Sequence, residues 1–262
     1  MNAPRLVTIG FSHYCEKARW ALDLAGVDYV EDDHVPVFHA PFSRRAGGRR
    51  TVPVLRVGGD VFRESGDILR FADGRLSPER RLFPQGGGAR AEVEALVNEF
   101  DRSLGPATRR LAYFYLLQDA PRAKALIAGT GPAWERRLAP SLFRPMRLLM
   151  RAAMNITPEG AARSHEKIDA TFASVAERLS DGRRYLVGDR FSAADLTFAS
   201  LAAPVLLPPE YGHPLPPPSE LPAELAGLAE QLRATPAGRF VLRLYAEERP
   251  AVRGRGPRAV AS

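Results

Sequence analysis

Apolar runs and chain breakers alternate over the first 72 positions in the order strand, helix, hairpin, helix. Leu6-Val7-Thr8-Ile9 is a short apolar run closed by Gly10-Phe11, and Ser12-His13-Tyr14-Cys15-Glu16-Lys17-Ala18-Arg19-Trp20-Ala21-Leu22 opens a helix behind it. Val54, Leu55 and Val57, then Val61 and Phe62, are two β-branched or aromatic runs around Gly58-Gly59-Asp60, where glycine supplies the positive φ of a tight hairpin. Pro53, at the start of the first of these strands, cannot donate to a ladder, so it marks an edge that leaves the backbone of Val52 free for a partner. Ser65 stands before Ile68, Leu69 and Phe71 as the predicted N-cap of the next helix. That helix end offers unpaired N–H groups to an anion, and Glu64 beside it can hold an ammonium.

The pattern changes near residue 73. Asp73 to Pro78 and Phe83 to Gly88 are rich in breakers and read as a linker. Beyond it, Val93, Leu96, Val97, Phe100 and Leu104 recur at three- and four-residue steps, as do Ile168, Phe172, Val175 and Leu179, so each set buries one helix face. Thr235-Pro236 opens a further helix with Phe240, Val241 and Leu244 inward. Ser192 and Asp195 have the spacing of a capping box, a folding device rather than a chemical one. Residues 138–156 are expected as one surface helix with Leu142, Met146, Leu149, Met150 and Ala153 on a single face, opposed by Arg144, Arg147 and Arg151. That face reads first as packing on the bundle, then as lining a hydrophobic-substrate pocket, and last as touching a membrane surface. Residues 204–222 are expected as an extended proline-rich loop and 250–262 as a flexible basic tail.

Composition narrows the chemistry. With 262 residues, 45% of them hydrophobic, the chain can bury a core without staples, and its single cysteine rules out an internal disulfide and suits a reducing cytoplasm. No apolar run is long enough to span a membrane, no signal peptide pattern opens the chain, and peripheral membrane contact is not expected. The net charge of +7 is almost entirely arginine, with lysine only at positions 17, 124 and 167. These arginines are scattered without a nucleic-acid-binding module, so no nucleic-acid partner is expected, and a positive field that draws in a small anion is the milder consequence. The five histidines show no ligand spacing with one another or with Cys15, there is no phosphate loop or dinucleotide fingerprint, and no metal is expected.

Thiol chemistry remains. Ser12 sits at the positive end of the first helix, where the dipole and a donated hydroxyl hydrogen favour a thiolate and can lower a thiol pKa from ~8.5 to ~7 or below. A two-unit shift is worth about 2.7 kcal/mol, enough to make most of a bound thiol reactive at neutral pH. Cys15 lacks a second cysteine at the spacing a dithiol mechanism requires, since Ser12 fills that place. It reads either as a small buried hydrophobe or as the site of a mixed disulfide. Tyr14 is the alternative hydroxyl donor. A ligand with an amino group, a carboxylate and an extended peptide backbone, such as glutathione, would satisfy Val52, Glu64 and Ser65 together, although an ordinary hairpin and capped helix would leave the same trace.

Ser12-His13-Tyr14-Cys15 and Gly48-Arg49-Arg50-Thr51-Val52-Pro53 give residues 5–72 a resemblance to the thioredoxin-fold domain of cytosolic glutathione transferases of the serine type. Tyr185 to Thr197 resembles the capping-box helix at the centre of their second domain, and the likeness extends to about residue 245. The resemblance implies a thioredoxin-like α/β domain with a mixed four-stranded sheet over residues 1–76, a linker over 77–90, an all-helical bundle over 91–249, and the tail. It implies a cis Pro53, Val52 paired with the cysteinyl backbone of glutathione, Glu64 and Ser65 on its γ-glutamyl end, and Ser12 activating its thiol. Thr51 stands where the family often carries lysine, glutamine or asparagine, so the glycyl carboxylate falls to Arg50, Arg49 or His39. The implied activity is conjugation of glutathione to a small hydrophobic electrophile, as in detoxification, by a cytoplasmic homodimer, with Tyr113, Tyr115 and Met146 lining the electrophile's pocket. The alternatives are a glutathione-dependent thiol transferase, reductase or isomerase that uses Cys15, and a non-catalytic ligand-binding protein.

Overall fold

The computed structural model describes residues 3–255. The first part of the chain alternates β1 (Arg5–Thr8), α1 (His13–Leu24), β2 (Tyr29–Asp33), α2 (His39–Arg45), β3 (Val54–Val57), β4 (Asp60–Phe62) and α3 (Ser65–Asp73). The strands lie in the order β4-β3-β1-β2, with β1 parallel to β2 and antiparallel to β3, and β3 antiparallel to β4. This is the mixed four-stranded sheet of the expected fold. Leu6 faces Leu55 and Val7 faces Val54 across the central pair, and all four are buried, so this register keeps the apolar side chains in the core.

The helical part runs α4 (Gly87–Glu99), a π-helical turn at Phe100–Leu104, α5 (Gly105–Leu116), α6 (Ala120–Ala128), α7 (Ala133–Leu138), α8 (Phe143–Ala153), α9 (Pro158–Arg178), α10 (Ala193–Leu206), α11 (Ala223–Arg233) and α12 (Pro236–Glu248). Its axis is α10, buried on every side because nearly all its residues are apolar or small. Phe198 of α10 meets the rings of Phe100, Phe172 and Phe240, which gathers the aromatic residues of three other elements around one side chain. The capping box holds: Asp195 accepts from the Ser192 N–H at 2.8 Å and, with its other oxygen, from the Leu186 N–H at 2.8 Å.

The two parts are joined through α1. Tyr14 donates its hydroxyl hydrogen to the Asp101 carbonyl at 3.0 Å, His13 Nε2 bonds the Gly105 carbonyl at 3.0 Å, and the buried Lys17 ammonium pairs with the Asp101 carboxylate at 2.7 Å. The π-helical turn therefore faces the opening of α1, as such irregular turns often face sites of function. Behind it, Arg19 pairs with Glu16 and Glu31, and Arg249 with Glu16 and Asp23, so a buried chain of charges fastens the end of α12 to α1. Burial alone would raise the Glu16 carboxyl, but Arg249 and Arg19 outweigh it and hold the group below its ordinary value.

Several boundaries differ from the sequence expectation. Glu64, not Ser65, is the N-cap of α3, and Ser65 is its first residue. Within the 77–90 segment, Leu82 and Phe83 are buried and the Asp73 carboxylate accepts from the Leu82 N–H at 2.6 Å, while α4 already begins at Gly87. The helix expected over 138–156 is broken: α7 ends at Leu138, Pro140 interrupts, and α8 starts afresh at Phe143. Its inward face is Phe143, Met146 and Met150, whereas Leu142 and Leu149 are exposed. The expected flexible tail is anchored at its start, since the Arg253 N–H donates to Asp23 at 2.8 Å and β5 (Gly254–Arg255) pairs parallel with β2. Residues 256–262 lie outside the described residues.

Candidate functional site

Strand β1 delivers the chain into the turn Gly10-Phe11 and then to Ser12, the N-cap of α1. This turn is held from both parts of the protein. The Gly10 N–H donates to Thr130 Oγ1 at 3.0 Å, its carbonyl accepts from Arg19 at 2.5 Å, and a Cβ at Gly10 would fall 2.3 Å from the His213 ring. Only glycine fits there. The Ser12 hydroxyl makes no capping bond to the helix and stands on the wall of a cavity of about 580 Å³ between the sheet part and the helices.

The opposite wall is the segment before β3. Val52 and Pro53 are joined by a cis peptide bond, and Ser43 Oγ donates to the Thr51 carbonyl at 2.7 Å, which fixes the approach to that corner. Val52 lines the cavity, and among the described residues its backbone N–H and carbonyl have no protein partner. Arg50 and Arg44 stand on the same side. His39 donates from Nε2 to the Arg50 carbonyl at 2.9 Å, and burial holds its pKa below the ordinary histidine value, so the ring is neutral and its buried Nδ1 presents a lone pair. A neutral His39 in this tautomer cannot donate to a carboxylate; Arg50 and Arg44 can, whereas Arg49 does not line the cavity.

The third wall is α5. Arg109 lines the cavity with Tyr113 one helical turn on, and Arg109 lies 5.9 Å from the Tyr14 ring. Its buried Nε has no hydrogen-bond partner, and the guanidinium's charge reaches His13, Tyr14 and Tyr113. His13 falls to a pKa of about 3, first through burial and then through Arg109, and is neutral. Burial pushes Tyr113 up to about 12, so it keeps its proton. The cavity thus carries three arginines, 44, 50 and 109, and no carboxylate among the described residues. Such a lining attracts an anion and stabilises negative charge that develops inside it.

Ser12, Val52, Arg50 and Tyr113 come together in this cavity, with Tyr14 at its edge. Tyr14 has already given its hydroxyl hydrogen to Asp101, and burial raises its pKa further above the ordinary tyrosine value. Cys15 is fully buried beneath Ser12; burial pushes its thiol up to about 12, against smaller opposing contributions from Arg19 and from hydrogen bonds including that of Ser12. Glu64 and Ser65 do not line the cavity, although the Glu64 charge reaches Tyr14. Tyr115 packs on the main core instead, and Met146 is buried among Leu116, Ile127 and Phe143, leaving Met150 and Met154 to line the cavity.

Arg109 escaped the sequence expectation, although its four-residue spacing from Tyr113 puts both on one face of α5. The proline-rich segment also contributes: Leu207, Tyr211, Leu215 and Pro216 line the cavity, and the Tyr211 hydroxyl donates to the Phe11 carbonyl at 3.2 Å. Two cavity residues, Val37 at φ 74° and Leu207 at φ 49°, have left-handed backbone; for the β-branched Val37 this is a strained conformation.

Residues 6–80 match the family model of the glutathione S-transferase N-terminal domain, and residues 158–254 that of the glutathione S-transferase C-terminal domain. Among solved structures, a glutathione S-transferase of Ceriporiopsis subvermispora, in complex with glutathione, aligns with a TM-score of 0.61 at 19% identity over 94% of this chain and 98% of its own. A glutathione transferase of Phanerochaete chrysosporium gives the same TM-score, 0.61, at 19% identity over 95% and 98% of the two chains. A possible glutathione S-transferase of Rhodopseudomonas palustris gives 0.57 at 18% identity over 94% and 95%. At such identities these likenesses speak to the fold. No curated protein matches the sequence.

Proposed function

This chain belongs to the glutathione S-transferase family, and from that premise we propose that it binds glutathione against Val52 and Pro53 and transfers the thiolate to a small hydrophobic electrophile, with Ser12 as the hydrogen-bond donor. In this reading the free backbone of Val52 pairs with the cysteinyl residue of the tripeptide. Arg50, with Arg44, takes the glycyl carboxylate, and the start of α3, where Glu64 is exposed and Ser65 buried, takes the γ-glutamyl end. Residues 1–76 supply the glutathione half and the helices of 91–249 the electrophile's half, where Tyr113, Met150 and Met154 face the second substrate.

The observation that carries this reading is the Ser12 hydroxyl at the start of α1, which makes no capping bond to the helix and stands on the wall of a cavity that holds three arginines and no carboxylate among the described residues. The helix dipole, the hydroxyl and Arg109 all favour the thiolate over the thiol. Thiol transfer through Cys15 has weaker support, because that sulfur is inaccessible and protonated. No described helix is long and apolar enough to cross a membrane; the enzyme of this reading is a cytoplasmic two-fold dimer. The test is conjugation of glutathione to a panel of aryl halides and unsaturated carbonyls. Ser12→Ala is expected to cost about 100-fold in kcat/KM at neutral pH, as loss of one preorganised donor does, and Ser12→Thr to retain most of the activity. An Ser12→Ala enzyme as fast as wild type would contradict the assignment.

A further inference from the structure

The segment between α5 and α9 does more than roof the cavity. Six large apolar side chains are exposed among the described residues, and five of them lie between positions 134 and 149: Trp134 (48%), Leu138 (48%), Leu142 (42%), Leu148 (70%) and Leu149 (54%). Helical spacing sorts α8 into three stripes. Phe143, Met146 and Met150 point inward, Leu142, Leu148 and Leu149 form an exposed apolar stripe, and Arg144, Arg147 and Arg151 run alongside it at three- and four-residue steps. The short helix α7 adds Trp134 and Leu138 with Arg136 and Arg137.

The charge on this face is all of one sign. The only acidic residue from 133 to 153 is Glu135, which is buried and already bonded to His34 and to the Val35 N–H. None of the five arginines pairs with a carboxylate among the described residues. Exposed leucines and a tryptophan flanked by unpaired arginines match a surface that is apolar within and anionic at its rim. An anionic phospholipid bilayer has that order, with phosphates and carboxylates outside and acyl chains beneath. Arginine can keep its guanidinium among the phosphates while its stem lies along the apolar boundary.

We propose that the face formed by α7 and α8 docks on anionic phospholipid membranes, with Trp134, Leu138, Leu142 and Leu148 entering the headgroup boundary and Arg144, Arg147 and Arg151 meeting the lipid phosphates. In the sequence pattern membrane contact is the last of three readings of this segment; the folded arrangement of these side chains favours it. The placement of the cavity supplies a use for it. Leu149 belongs both to the exposed stripe and to the cavity lining, and Met150 and Ala153 of the same helix line the cavity too, so the docked face adjoins it. On the proposed reading of that cavity, a lipophilic electrophile dissolved in the bilayer enters without crossing bulk water. The docking itself does not depend on that reading.

The experiment is co-sedimentation of the full chain with vesicles of phosphatidylcholine alone and of phosphatidylcholine mixed with phosphatidylserine. Binding is expected to the mixed vesicles and to weaken as salt is raised. The triple variant Arg144→Glu, Arg147→Glu, Arg151→Glu is expected to lose at least about tenfold in binding, and Leu148→Asp to bind less than wild type. All these side chains lie outside the cavity lining, so melting temperature and conjugation of a water-soluble electrophile should be unchanged. Equal sedimentation with both vesicle types, none with either, or variants that bind like wild type would overturn the proposal. So would a chain that pairs with a second copy through this face, seen as a dimer that Leu148→Asp dissociates without any vesicle binding. Vesicle binding requires no glutathione, so a chain that docks but does not conjugate overturns the catalytic reading alone.

Discussion

His34 Nδ1 lies 2.7 Å from Glu135 Oε1, a contact between the end of β2 and helix α7 across 101 positions of sequence. The other Glu135 oxygen accepts from the Val35 N–H at 2.7 Å, and Phe42 stacks on the imidazole at 3.8 Å. Next to this pair, Asp33 accepts from Thr130 Oγ1 and the Gly131 N–H. The loop from Thr130 to Glu135 is thereby clamped to the sheet beside the cavity.

This clamp should make stability depend on pH. Burial would lower the His34 pKa, but Asp32 and Glu135 outweigh it and raise it from 6.5 to about 9. A folded-state pKa above the unfolded one contributes stability that is fully present below about pH 6.5 and lost as pH rises through about 9, up to roughly 3 kcal/mol. Thermal melting followed from pH 6 to 10 should show this decline in wild type, and it should be reduced in Glu135→Gln, with Asp32 sustaining the remainder. An equal decline in both proteins would place its origin elsewhere.

Gly10→Ala should destabilise the turn that carries Ser12, because the new Cβ meets the His213 ring at 2.3 Å. A cost of roughly 1–3 kcal/mol is expected from forcing a side chain into a filled space. His213→Ala in the Gly10→Ala background should restore part of the melting temperature. Failure of that rescue would mean the strain lies in the backbone rather than against the ring.

Arg109→Leu should raise the pKa of bound glutathione's thiol by about one unit, equivalent to about 1.4 kcal/mol, by removing the cation that faces the cavity. The pH profile of kcat/KM would then shift upward by the same interval, and Arg109→Lys should reverse part of the shift. A lower affinity for the electrophile with an unmoved pH profile would instead make Arg109 a substrate-binding group.

Cys15 should be inert in the folded protein. With its thiol pushed up from 9.0 to about 12, its thiolate fraction at neutral pH is about a thousandfold lower than that of a free cysteine, and the sulfur is also fully buried. Alkylation should proceed only under denaturing conditions, and Cys15→Ala should keep the conjugation rate. Rapid labelling of the native protein, with loss of a disulfide-reducing activity, would favour the thiol-transferase alternative.

Much of the frame can be read from local pattern. Ser12 before an amphipathic run, the glycines between Val57 and Val61, and the Ser192–Asp195 box each announce their element because the backbone there demands particular residues. Strand β2 does not announce itself, because Glu31, Asp32 and Asp33 are polar residues whose partners, Arg19, Arg5 and Thr130, come from elsewhere in the chain. Met146 and Met150 share one face of α8, and the pattern does not say which of them reaches the cavity: Met146 packs on Leu116, Ile127 and Phe143, and Met150, one turn on, also lines the cavity. Arg109 is one arginine among many, and only the folded arrangement singles it out by leaving its Nε buried without a partner.

The central claim, that Ser12 stabilises a glutathione thiolate in this cavity, is tested most directly by the ultraviolet absorbance of the thiolate of enzyme-bound glutathione, titrated against pH in wild type and in Ser12→Ala. Wild type should titrate at about 7 or below, against ~8.5 for a free thiol, and Ser12→Ala about one to two units higher. A wild-type titration matching that of free glutathione, or identical curves for the two proteins, would contradict the account.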